Sequence, residues 1–187
     1  MTDKPSHLPA LAAGAIAAIL DLATKSWAYG AIPYGEVRPV LGEWFALTAR
    51  SNPAGPWSLF HGVLPEPVLR ISLPLLSVAA VVLLVQFLRR SDASDRVLGL
   101  GLAFILGGAA GNLWDRSLTA AGMMDPPGVR DFILVRGVWF GGDFPAFNLA
   151  DAWITVGVVF VGWRILFERK GAEPAEGAGA AAGEAGA

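Results

Sequence analysis

Long apolar runs broken by short charged punctuation set the pattern of this chain. Residues 71–88 carry no charge and are bracketed by Arg70 and Arg89; residues 97–114 are likewise uncharged, between Arg96 and Asp115. A helix rising roughly 1.5 Å per residue needs about 20 mostly apolar residues to cross a hydrocarbon core of about 30 Å. Both runs therefore predict membrane spans, at about 70–89 and 96–114. Two further runs are impure. The stretch 8–29 contains Asp21 and Lys25, and its uncharged part, 8–20, is too short to cross. In the last run, 152–163 is uncharged but covers only about 18 Å, so a span over about 147–168 must take in Asp151, Arg164 or both. Arginine can snorkel to the interface, whereas aspartate has almost no reach. Asp151 is thus forced near or below the membrane surface, where an ionisable group is a functional hypothesis by default.

The connections differ in length. Those at 30–69 and 115–146 are long, and within them 37–49 and 129–140 are rich in β-branched and aromatic residues punctuated by Gly and Pro, the composition of short strands. Gly137 is placed to turn the second into a hairpin, and 63–69 suits a short helix before the second span. The expected fold is membrane α-helical, with four transmembrane helices and a small extracytoplasmic β-sheet, forming one integral-membrane domain over 1–170. The Gly, Ala and Glu tail at 171–187 cannot bury a core and reads as disordered.

Composition supports the membrane reading. Charged residues are 16% of the chain, against roughly 25% in ordinary globular proteins, and the mean hydropathy is +0.52. A net charge of −2 from 14 basic and 16 acidic residues leaves no basic patch for nucleic acid. The absence of cysteine excludes a disulfide framework, a thiolate nucleophile, a cysteine-ligated metal and lipid attachment. His7 and His61 are far apart, without ligand-like neighbours, so neither a metal nor another cofactor is implied. A cleavable signal peptide competes for 8–20, but Asp21 and Lys25 directly after it, without a clear cleavage site, favour a retained span. Basic residues at 89–96 and 169–170 place that short loop and both termini in the cytoplasm and both long connections outside. Trp27, Trp44, Trp57, Trp114 and Trp139 then form an outer interfacial belt.

With this orientation the costly polar groups gather at one level, the outer leaflet. Asp21 and Lys25 are spaced i,i+4 in the favourable order; Asn112, Asp115 and Arg116 close the third span; Asn148, Asp151 and Thr155 open the fourth. The glycines and alanines at 107–111 include a G-x-x-x-G pair suited to close helix contact. Mutual neutralisation is a sufficient account of Asp21 with Lys25. It is a weaker account of Asp151, which has no basic residue at i±3 or i±4. Asp131, the only acidic residue in 129–140, would sit at the start of a strand overhanging the bundle and face Asp151.

These pieces together resemble the lipoprotein signal peptidase (signal peptidase II) family. The resemblance rests on D-L-A-T-K at 21–25, N-P-A-G-P-W-S-L-F from Asn52, G-G-A-A-G-N-L-W-D-R at 107–116, V-R-D-F at 129–132 and F-N-L-A-D-A-W-I at 147–154. It implies a four-span enzyme of the bacterial cytoplasmic (inner) membrane with a metal-free aspartate dyad, mapping onto Asp131 and Asp151. The family's other motif residues map onto Asp21, Lys25, Asn52, Asn112, Asp115, Arg116 and Asn148. The implied substrate is a prolipoprotein whose cysteine already carries diacylglycerol, cut just before that cysteine near the outer leaflet. Membrane lipid is the other expected partner, and nothing demands more than a monomer. The chain departs from the pattern twice: N-P-A-G-P-W stands where N-x-G-A-A-F is usual, and an insertion around A-G-M-M-D-P-P-G lengthens the path to Asp131. Asp125 in that insertion is a rival for the dyad, but its D-P-P setting reads as a turn.

Two carboxyls sharing a proton can activate a water and polarise a carbonyl together. In that scheme Asn112 and Arg116 hold the substrate backbone or lipid headgroup, Asn148 orients Asp151, and Lys25 with Asp21 braces the first helix. Two other classes compete. A small proton-coupled transporter would need polar groups through the midplane and an inverted repeat, neither of which is visible. An inactive family member binding lipidated peptides is motivated by the altered run after Asn52.

Overall fold

The computed structural model describes residues 5–55, 62–138 and 142–171. Four helices, α1 (Leu8–Ala31), α2 (Glu66–Arg90), α3 (Arg96–Ala120) and α4 (Leu149–Gly171), are joined through three strands, β1 (Val37–Leu41), β2 (Phe45–Asn52) and β3 (Val129–Val135). All four helices are long and apolar enough to cross a membrane. Their outward side chains, among them Ile71, Leu75, Leu83, Val159 and Leu166, are large, apolar and exposed, as a lipid-facing surface requires. The molecule is a multi-pass membrane protein.

Association of helices in lipid relies on close packing rather than on expulsion of water, and glycine supplies it here. α3 is the central helix. Gly107 lies against the Gly14 carbonyl and Ala17 of α1, and Gly108 against the Ala150 carbonyl and Ile154 of α4. Gly157 of α4 meets the Gly101 carbonyl and Ile105. A Cβ at any of the three would collide with backbone. On α1 the buried residues are Gly14, Ala17, Asp21, Lys25 and Ala28, one face at helical spacing, so Asp21 and Lys25 point at α3 and not at lipid.

The span boundaries differ from the sequence expectation where polar residues find protein partners. α3 runs six residues past Trp114 to Ala120, because Asp115 and Arg116 are bonded within the protein and need not mark the helix end. No separate helix forms at 63–69. Pro65 sits at the N-cap of α2 with Glu66 and another proline in its first turn, so the segment enters the span directly.

The three strands form an antiparallel sheet in the order β1-β2-β3. Gly42, at φ 55°, helps turn β1 into β2, and Arg50 and Asn52 of β2 stand opposite Asp131 and Val129 of β3. After β3 the chain turns at Gly137, φ 70°, as the sequence suggests. Among the described residues no second strand returns. Ile133 bridges to Phe147, with the Phe147 carbonyl accepting from Phe132 and Ile133 at 3.0 and 2.8 Å. This return sets Asn148 and the start of α4 beside Asp131. Of the expected belt, Trp27, Trp44 and Trp114 are exposed; Trp57, Trp139, His61 and the tail beyond residue 171 lie outside the described residues.

Candidate active site

Asp131 is the third residue of β3 and Asp151 the third of α4. One side chain connects them. Asn148 donates from Nδ2 to Asp131 Oδ1 at 2.7 Å, while its Oδ1 accepts the Asp151 backbone N–H at 3.0 Å. Asp151 Oδ2 accepts the Asn148 backbone N–H at 3.2 Å in return. This reciprocal pair is a capping box built from Asn and Asp. It places the Asp151 carboxylate at the helix N-terminus, where the aligned peptide dipoles favour a negative charge. Asn112 Nδ2 donates to its other oxygen at 2.9 Å.

Asp131 has a different environment. It is 3% exposed, and burial, reinforced by the charge of Asp151, pushes its carboxyl well above the usual range. Hydrogen bonds from Asn148 and Asn52 and the charge of Lys25 act in the opposite direction and do not prevail. Asn52 reaches the site from the end of β2, its Oδ1 also accepting the Ala54 N–H at 3.1 Å. The altered N-P-A-G run therefore still delivers its asparagine to Asp131. Asp125 does not reach the site; it is exposed, in the turn between α3 and β3.

Behind Asp131 and Asp151 lies a chain of buried charge. Lys25 is fully buried, with Nζ 2.7 Å from Asp21 Oδ2 and 3.4 Å from Asp115 Oδ2, and it donates to Asn112 Oδ1 at 2.8 Å. Asp21 uses its other oxygen to accept the Ala150 N–H at 2.8 Å, satisfying an orphan donor in the first turn of α4. Asp115 accepts from the Arg130 guanidinium at 2.7 and 3.1 Å and from the Arg130 backbone N–H at 3.0 Å. Arg116 turns toward α2, donating to Ser77 Oγ. Its charge acts on Asp151, Asp131 and Asp115, and its Nε has no partner among the described residues.

The nine residues onto which the family motifs map thus gather at one place, while Asp125 stays outside, and not all nine hold the expected posture. Asn112, expected to hold substrate, is 5% exposed and joins Lys25 to Asp151. Sequence reasoning passed over Arg130 and Ser77. Arg130 was visible only as the neighbour of Asp131 in V-R-D-F, and Ser77 only as one of few polar residues in an apolar run.

The profile of the signal peptidase (SPase) II family matches residues 13–167. The chain is 35% identical over 150 residues to the lipoprotein signal peptidase of Desulforapulum autotrophicum, covering 80% of this chain and 86% of that protein. It is 31% identical over 171 residues to that of Ectopseudomonas mendocina, covering 90% and 94%. A bacterial membrane enzyme solved by the in meso method at 2.3 Å resolution shares the fold, with a TM-score of 0.74 at 23% identity over 94% of this chain and 98% of that one.

Proposed function

Because the chain belongs to the signal peptidase II family and is a membrane protease of that family, we propose that it removes signal peptides from diacylglyceryl-modified prolipoproteins through an aspartic dyad of Asp131 and Asp151. The cut falls on the N-terminal side of the lipidated cysteine. The observation that carries this reading is Asn148, hydrogen-bonded to Asp131 through its side chain and to Asp151 through both side chain and backbone. It holds a buried carboxyl and a helix-capping carboxylate at one place.

The two environments divide the labour. Asp151 takes a proton from the attacking water, and Asp131, which keeps its proton because it is buried, hydrogen-bonds the scissile carbonyl oxygen. Water oxygen adds to the carbonyl carbon, the C–N bond of the tetrahedral intermediate then breaks, and the leaving nitrogen takes up a proton from the dyad. No metal enters the scheme. Arg89 and Arg90 at the end of α2 and Arg96 at the start of α3 support a cytoplasmic short loop and cytoplasmic termini, with the dyad near the outer leaflet of the inner membrane. A substrate anchored there by its own acyl chains brings about 0.8 kcal/mol of binding per buried CH₂.

Asp131→Asn and Asp151→Asn, each assayed on a lipidated prolipoprotein, are expected to lose at least about a thousandfold in turnover. Normal cleavage by either variant ends the dyad reading. A peptide lacking diacylglycerol is expected to be a poor substrate, and equal rates with and without the lipid would exclude the assigned specificity.

A further inference from the structure

Arg130 stands next to Asp131 on β3, and both its backbone N–H and its guanidinium are engaged. The guanidinium grips Asp115 Oδ1 through Nε and Nη2 at 3.1 and 2.7 Å. Its backbone N–H donates to Asp115 Oδ2 at 3.0 Å. Its Cζ lies over the Tyr29 ring, 6.0 Å from the centroid, and Nη1 is 3.5 Å from Ser26 Oγ. The side chain is 15% exposed and Asp115 is wholly buried. A single carboxylate therefore holds both backbone and side chain of the residue preceding the proposed acid, and α1 supplies the face against which the guanidinium rests.

Asp115 is also the far end of the connection to the other aspartate. It lies 3.4 Å from Lys25 Nζ, Lys25 donates to Asn112, and Asn112 donates to Asp151. Asp131 follows Arg130 covalently, so the two carboxyls hang from opposite ends of one charged chain.

From this we infer that Arg130 is a positioning residue for the dyad: its fork to Asp115 fixes β3 so that Asp131 meets Asp151, without Arg130 itself touching substrate. The inference rests on the dyad reading. Lysine at this position would keep the charge but lose the planar fork and the stack on Tyr29.

The test compares wild type, Arg130→Met, Arg130→Lys and Asp131→Asn, purified in detergent, for cleavage of a diacylglyceryl-modified prolipoprotein. Thermal unfolding of each is followed in parallel. Misplacing a reacting group by about 1 Å costs on the order of a hundredfold; Arg130→Met is therefore expected to lower kcat by about 10–100-fold. KM should stay within about twofold, since only transition-state geometry is disturbed. Arg130→Lys should fold as wild type and fall between the two in kcat. Should Arg130→Met fail to fold, the kcat deficit of folded Arg130→Lys decides the matter. Full kcat in either folded variant overturns the inference, as does a loss that tracks KM and thermal stability together, which would make Arg130 a stabilising residue only. If wild type does not cleave, or Asp131→Asn does, the dyad reading itself has failed.

Discussion

At one end of the bundle Arg164 of α4 meets Asp95, the cap of α3, at 2.6 Å, with the side chains 31% and 14% exposed. At the other end Lys25 meets Asp21 and Asp115 with none of the three exposed. The first arrangement ties two helix ends where solvent still shares in stabilising the charges. The second has no solvent, so each charge must be matched by protein, and the matching extends from α1 through α3 to β3 and α4 until it reaches Asp131 and Asp151. A partly exposed pair is an independent staple of modest worth. A buried chain is one object, in which removing any member leaves a stranded charge.

The largest effect that would break this contrast comes from Lys25→Met. It deprives Asp21, Asp115 and Asn112 of their common cation, and stranding a buried charge costs about 3–5 kcal/mol. Asn112 would also lose what orients its Nδ2 toward Asp151, so turnover should fall with stability. Thermal unfolding in detergent and cleavage of a lipidated substrate check both. A Lys25→Met protein as stable as wild type would show that the cluster is not one unit.

How far the sequence foretold this end of the molecule depends on the kind of information each feature needed. The level of the polar groups was legible, because helix rise and orientation along each span place residues at a depth. Rotation between neighbouring helices was not. Asp21 and Lys25 at i,i+4 read as a closed pair within α1, whereas Lys25 also reaches Asn112 and Asp115 on α3, at 2.8 and 3.4 Å. The close approach that permits this comes from Gly107 and Gly111, the latter packed directly on the Asp21 carboxylate. The G-x-x-x-G spacing announced a contact without naming the partner. The capping box at Asn148 and Asp151 stands in the sequence as N-x-x-D at the start of the fourth span, where position alone does not reveal that the two side chains bond each other's backbone. Strand composition marked β1 and most of β2 within 37–49, and β3 over 129–135 of the run 129–140, while the return of Phe147 to Ile133, which seats Asn148, is a long-range pairing that no local pattern encodes. The same holds for Arg130, whose partner on α3 is 15 residues distant.

A smaller effect sharpens the comparison within the site. The Asp131 carboxyl is pushed up by burial and by Asp151, so the folded protein holds that proton to higher pH than the unfolded chain does. Between the unfolded value, about 4, and the raised folded one, the unfolded state has released the proton and the native state has not. Stability from this group is therefore full at the acid end and is lost as pH rises through that window. Asp131→Asn removes the ionisable group while keeping an oxygen for Asn148. The variant should be inactive yet unfold a few degrees higher than wild type at neutral pH, with the gap closing toward about pH 4. A gap that widens in acid would reverse the assignment of the proton.

The smallest effect is expected at the other end. Asp95→Ala removes the carboxylate that accepts the Leu98 N–H at 3.0 Å and pairs with Arg164 at 2.6 Å. A lost cap costs about 1 kcal/mol, and a partly exposed pair adds at most about as much again. For a chain of this size each kcal/mol lowers the thermal midpoint by about 2–4 °C. Turnover should stay within about twofold of wild type, because among the described residues no side-chain hydrogen bond links Asp95 to Asn112. A fall in kcat at unchanged stability would show that α3 transmits the loss over most of its length. The two ends would then be a single device, and the contrast drawn between staple and chain would have to be abandoned.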